Sequence, residues 1–265
     1  MNEEANEKAI EETEHEEMKE VDPKEIVDFL KPRMGARFKT WLSICTHCGL
    51  CADTCHHYTA SGKDPKMIPS YKVRFLTEML RKKGKVDREY LKKVYDTVYY
   101  ECNMCRRCTM YCPFGIDIAL MISLMRALLF SQGMAPEGLL KAVENYKEFG
   151  NQMAVTKEDW IETIEWCEEE TADELVGLKI PIDKKGAKIM YTVNAREPMF
   201  YPQDIMEVAK IFHVAGEDWT LPSEMGWDDT NLAMFCGDLK TSRMIVENTF
   251  KRAEELEVQQ VAITE

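Results

Sequence analysis

"YECNMCRRCTMYCPFG", residues 100–115, places Cys102, Cys105, Cys108 and Cys112 within eleven residues and follows the last with Pro113. An earlier stretch, "CTHCGLCADTCHHY" at 45–58, repeats the spacing with Cys45, Cys48, Cys51 and Cys55. Both read Cys-x2-Cys-x2-Cys-x3-Cys. Eight of the ten cysteines fall in these two runs, which leaves Cys167 and Cys236. The start, "MNEEANEKAIEETEHEEMKE", has neither a basic nor an apolar region of the secretory kind, so a disulfide framework is not expected and metal binding is.

Three thiolates at x2 spacing wrap one tight loop around three irons of a cubane, and the fourth cysteine is carried away by a following helix. In runs of this kind the fourth cysteine serves the other cluster. Applied here, one [4Fe–4S] cluster takes Cys45, Cys48, Cys51 and Cys112, and the other takes Cys55, Cys102, Cys105 and Cys108. Zinc is the competing metal, but its sites pair two Cys-x2-Cys knuckles into four ligands, and a third x2 cysteine in each run has no place there. His47, His56, His57, Arg106 and Arg107 flank the runs. They are expected beside the clusters, hydrogen-bonding sulfur or supplying positive charge, rather than as ligands. Cys167 and Cys236 lack ligand neighbours and read as buried thiols.

The charge distribution supports this centre of gravity. Net charge is −13, yet residues 31–112 hold seventeen Lys/Arg against seven Asp/Glu, while residues 1–30 carry twelve acidic residues and three Lys. An acidic chain whose basic middle coincides with its cysteines is a poor nucleic-acid binder, and the basic residues offset cluster charge. The run "RKKGK" at 81–85 reads as a solvated loop. The longest apolar stretch, "GIDIALMISLMRALLF", is interrupted by Asp117 and Arg126 and reads as a buried helix, so no direct membrane span is expected.

Elements follow from caps and periodicity. Asp22 and Pro23 open the first ordered helix. Helical patterns cover 71–83 and 87–100, the second with Tyr90, Leu91, Val94 and Val98 on one core face. Helices are expected near 116–131, after Pro136, and over 157–170 behind Thr156. Beyond residue 186 the pattern alternates. "AKIMYTV", "DWTLP", "NLAMFCG" and "VQQVAITE" read as strands, separated by "PQDIMEVAKIFHVAG" and "LKTSRMIVENTFKRAEELE" as helices. Alternation of this kind implies a parallel α/β layer, but neither G-x-G-x-x-G nor a phosphate-binding loop is present.

Two such runs separated by 46 mostly helical residues resemble the helical ferredoxin module. More narrowly, "CTHCGLCADTCHHY", "YYECNMCRRCTMYCPFGID" and "PIDKKGAKIMYTV" are similar to the DsrK/HdrD group of heterodisulfide-reductase-like subunits. The similarity covers about residue 33 to the end. It implies a mainly α fold, with a helical two-[4Fe–4S] ferredoxin domain followed by a partial α/β domain of the CCG type. It also implies electron transfer between a membrane cytochrome b or quinone partner and a cytoplasmic disulfide or sulfur-carrier reaction, at the cytoplasmic face of the membrane. The catalytic cysteine segments of that family are expected where this chain stops, after "VAITE", so no catalytic residue transfers. A catalytic subunit lacking that half and a zinc-stabilised interaction module are the alternatives. The expected organisation is a flexible acidic tail at 1–30, a ferredoxin domain at 31–150, a helical linker at 151–185 and an incomplete α/β domain at 186–265.

Overall fold

The structure is a computed structural model that describes residues 21–172 and 174–264. The chain divides into two compact units, one ending at Gln132 and the other beginning at Gly133.

The first unit is helical. Its elements are α1 (Pro23–Arg33), α2 (Ala36–Ile44), α3 (Leu50–Asp53), α4 (His56–Ala60), α5 (Pro69–Lys72), α6 (Arg74–Arg81), α7 (Arg88–Tyr95), α8 (Arg107–Met110) and α9 (Ile118–Ser131). The Asp22 carboxylate accepts the Lys24 backbone N–H at 2.8 Å, and Pro23 sits where a missing N–H costs nothing, so α1 begins where the caps direct. Residues 23–30 of the acidic segment expected to be flexible are therefore helical, anchored by buried Ile26 and Leu30. Residues 1–20 lie outside the described residues.

α7 runs on through a π-helical turn, Asp96–Tyr100, and buries Leu91, Val94 and Val98 completely, the core stripe its periodicity predicts. α9 buries ten of its fourteen residues, as a helix at the centre of a core must. Among the described residues no helix is long and apolar enough to cross a membrane. The "RKKGK" segment forms a turn whose charged side chains are exposed.

The second unit contains α10 (Glu137–Phe149), α11 (Lys157–Ala172), β1 (Ile189–Tyr191), α12 (Arg196–Phe200), α13 (Pro202–Ala215), β2 (Trp219–Thr220), α14 (Leu232–Cys236), α15 (Leu239–Glu255) and β3 (Gln260–Ala262). The strands form a parallel sheet in the order β2-β1-β3, with Ile189 opposite both Trp219 and Gln260.

Two expectations are corrected here. "NLAMFCG" is the short helix α14 and not a strand. The Asn231 side chain accepts the Met234 N–H at 3.1 Å as an N-cap, and Gly237 takes the left-handed C-terminal position. A five-residue apolar run has no periodicity to separate the two states. The segment 151–185 is not a linker either. Trp160, Ile164 and Cys167 of α11 are fully buried in one core with Tyr191, Val193 and Trp227. Trp160 stacks on Trp227 at 4.4 Å and donates its indole N–H to the Pro222 carbonyl at 2.9 Å.

Candidate metal centres

α2 delivers the chain to Cys45, and a loop then carries Cys48 to the start of α3. Within it His47 and Gly49 have positive φ, 55° and 86°, on either side of Cys48. The second run repeats this residue for residue: Met104 and Arg106, at 56° and 63°, flank Cys105, and α8 begins at Arg107. Left-handed backbone is routine for Gly49 but costs His47, Met104 and Arg106 roughly 1 kcal/mol each. Such alternation turns successive backbone N–H groups toward one centre, the concave arrangement that anionic iron–sulfur groups occupy.

The fourth cysteines correspond too. The Cys55 N–H donates to the Ala52 carbonyl at 3.0 Å, and the Cys112 N–H donates to the Thr109 carbonyl at 3.3 Å. Both therefore leave their loops over the end of a one-turn helix. α3 and α8 pack against each other, which brings the two runs side by side.

The result is two cavities. One, of about 400 Å³, is lined by Cys45, Cys48, Cys51 and Cys112, with Trp41 and Phe114 among its apolar walls. The other, tighter at about 30 Å³, is lined by Cys55, Cys102, Cys105 and Cys108. Each gathers three cysteines of one run and the last cysteine of the other. Ile118 lines both, so the two spaces are neighbours. Among the described residues no three His, Cys, Asp or Glu side chains converge closely enough to hold a single metal ion. The thiols surround spaces rather than points.

The thiols are held in electrostatic tension. Burial pushes the Cys108 thiol up to about 12, reinforced by the neighbouring sulfurs of Cys102, Cys51 and Cys105. Cys51 is raised by burial against hydrogen bonds from Ser70 that pull it back. Cys102 is raised by burial, against the Met104 N–H and the nearby charges of Lys72 and Arg126. Crowded, half-buried thiols resist becoming thiolates until a cationic metal core replaces their protons.

His47 lines the first cavity; His56, His57, Arg106 and Arg107 line the second. Burial and the adjacent Lys72 and His56 lower the His57 pKa, and its Nε2 is buried without a hydrogen-bond partner. An orphaned ring nitrogen beside four thiols fits a sulfur-rich occupant. Arg106 does not aim at sulfur: its guanidinium donates to Asp117 at 2.8 Å. Cys167 and Cys236 are fully buried in the second unit and line neither cavity.

Three residues of the site were not foreseen. Asp117 caps α9 through the Leu120 N–H at 3.0 Å while also accepting from Thr109 at 3.1 Å and Arg106, which ties the second loop to the central helix. Arg126, 3% exposed, donates to the Val98 carbonyl and, at 2.6 Å, to the Cys102 carbonyl. Lys72, 2% exposed, donates its ammonium to the Glu101 carbonyl. Two buried cations thus grip consecutive carbonyls where the second run begins. Each sits on a helix that sequence read only as amphipathic or apolar, and the sole signal was a cation inside a core-facing stripe.

Residues 41–116 match the 4Fe-4S dicluster domain family. The chain is 30% identical over 175 residues, 60% of its own length, to a protein of Archaeoglobus fulgidus named Hdr-like menaquinol oxidoreductase iron-sulfur subunit 2. It is 29% identical over 178 residues to the Hdr-like menaquinol oxidoreductase iron-sulfur subunit of Archaeoglobus profundus, again across 60% of this chain. It spans 31% of the length of each. No solved structure matches it. The chain therefore carries a 4Fe-4S dicluster domain and is related to the iron–sulfur subunits of Hdr-like menaquinol oxidoreductases.

Proposed function

We propose that this chain is a two-cluster electron relay. Cys45, Cys48, Cys51 and Cys112 would hold one [4Fe–4S] cluster, and Cys55, Cys102, Cys105 and Cys108 the other. The observation that carries the reading is the crosswise lining of two adjacent cavities by these two sets. When bound, such clusters supply one-electron chemistry. The chain's own contribution is positional. Ile118 lines both spaces, the left-handed residues on either side of Cys48 and Cys105 would turn backbone N–H groups toward a cluster, and His57 would offer Nε2 for a hydrogen bond to sulfur.

The names of the relatives extend the reading to a membrane quinol as the electron source. By resemblance, a cytochrome b-type membrane subunit would be the docking partner, at the cytoplasmic face. A disulfide or sulfur carrier would be the acceptor, served by an α/β domain of which β1–β3 and their helices form part. Zinc is disfavoured by the third x2-spaced cysteine in each run, which a four-ligand zinc site has no place for.

Anaerobic purification followed by iron and sulfide analysis and electron paramagnetic resonance tests the relay. Cys105→Ser is expected to lose roughly half the iron and the signal of one cluster while the other persists. A colourless zinc protein, or a Cys105→Ser variant with both clusters intact, would overturn the reading.

A further inference from the structure

We propose that Lys72 is a positioning residue that sets the reduction potential of the cluster held by Cys55, Cys102, Cys105 and Cys108. This rests on the cluster reading above. Lys72 is 2% exposed and is one of the residues lining the cavity those four cysteines form. Its hydrogen bond goes to a neutral carbonyl, that of Glu101, and among the described residues no carboxylate pairs with it. An ammonium out of water without a counter-charge costs several kcal/mol, and an anion beside it offsets that cost.

The cavity supplies that anion. Four thiolates around an oxidised cubane leave about two net negative charges, and accepting one electron makes it about three. Lys72 faces this charge across a water-poor interior, where Coulomb interactions are far stronger than in solvent. It therefore stabilises the reduced state more than the oxidised one. The other cavity is lined by Arg74 and Arg81, both near the surface, and by no buried Lys. The two clusters are consequently unequal, with the second raised relative to what its cysteines alone would give.

The experiment is a potentiometric titration of the purified chain with dithionite and mediators, followed by electron paramagnetic resonance, for wild type and Lys72→Met. Met keeps the unbranched apolar stem and removes the charge. Wild type is read first: an iron-free wild type refutes the cluster reading and not the role of Lys72 within it. In Lys72→Met the one-electron equilibrium of one cluster is expected to shift at least tenfold toward the oxidised form, about 59 mV. The other cluster should stay put. Two intact clusters with unchanged potentials would overturn the proposal. If Lys72→Met sheds the second cluster, Lys72→Arg and Lys72→Gln decide. Recovery with Arg alone, or with Gln at a lowered potential, supports charge compensation, and any other pattern overturns it.

Discussion

Single residues of this chain hold charge in places where solvent cannot help, and Asp228 shows the cost. It is fully buried in the second unit and accepts N–H groups from Gln152 at 2.8 Å, Thr230 at 3.1 Å and Ala195 at 3.3 Å. Burial nevertheless outweighs these bonds and pushes its pKa up to about 6. A carboxyl whose folded pKa is raised contributes most below about pH 4 and loses that contribution as pH rises through about 6. The shift corresponds to about 3 kcal/mol at neutral pH. Denaturant titrations of wild type and Asp228→Asn at pH 7 and pH 4.5 should therefore show wild type gaining on the variant as pH falls. A constant gap between the two would mean that Asp228 does not titrate in this range. Nothing in the sequence marked this residue, because "WDDT" reads as an ordinary polar loop until the fold closes over it.

At the scale of elements, caps and periods carried most of the information. Asp22, Thr156 and Gly216 each stand at the helix ends their chemistry predicts: Thr156 accepts the Asp159 N–H at 3.1 Å, and Gly216 ends α13 in the left-handed conformation. What stayed hidden were elements defined by tertiary pull. The π turn at Asp96–Tyr100 places the Val98 carbonyl where Arg126 grips it, and no local propensity encodes a wider turn. Asp117 had been read only as an interruption of an apolar run, yet it is the joint between α9 and the second cysteine loop. Asp117→Asn keeps an N-cap while giving up the ion pair with Arg106, whereas Asp117→Ala gives up both. Thermal unfolding should place the Ala variant about 1 kcal/mol below the Asn variant. Both should retain less iron than wild type if the joint holds the loop in ligating geometry, and equal iron in all three would refute that role.

At the scale of the whole chain, the cysteine spacing pointed to the same two sets of four that line the two cavities, but the boundary between units was not legible. It falls at Gly133 because α10 and α11 supply apolar faces that the sheet-bearing unit needs, a demand visible only once Trp160 is seen against Trp227. The two units are built on different principles. The unit through Gln132 brings six half-buried thiols and the exposed Cys48 and Cys105 together around two spaces, so its folding free energy includes whatever fills them. The second unit closes on its own apolar core, and its two cysteines are plain buried thiols, Cys167 being pushed up to about 11 by burial alone. Stripping iron anaerobically with a chelator and following amide hydrogen exchange should separate them. Exchange should accelerate through 36–60 and 96–118, while α11 and the strands at 189–191 and 260–262 keep their protection. Uniform acceleration across both units would show that the metal centres stabilise the entire chain. No acceleration in the cysteine loops would show that the loops are pre-formed and need no cluster to hold their left-handed turns.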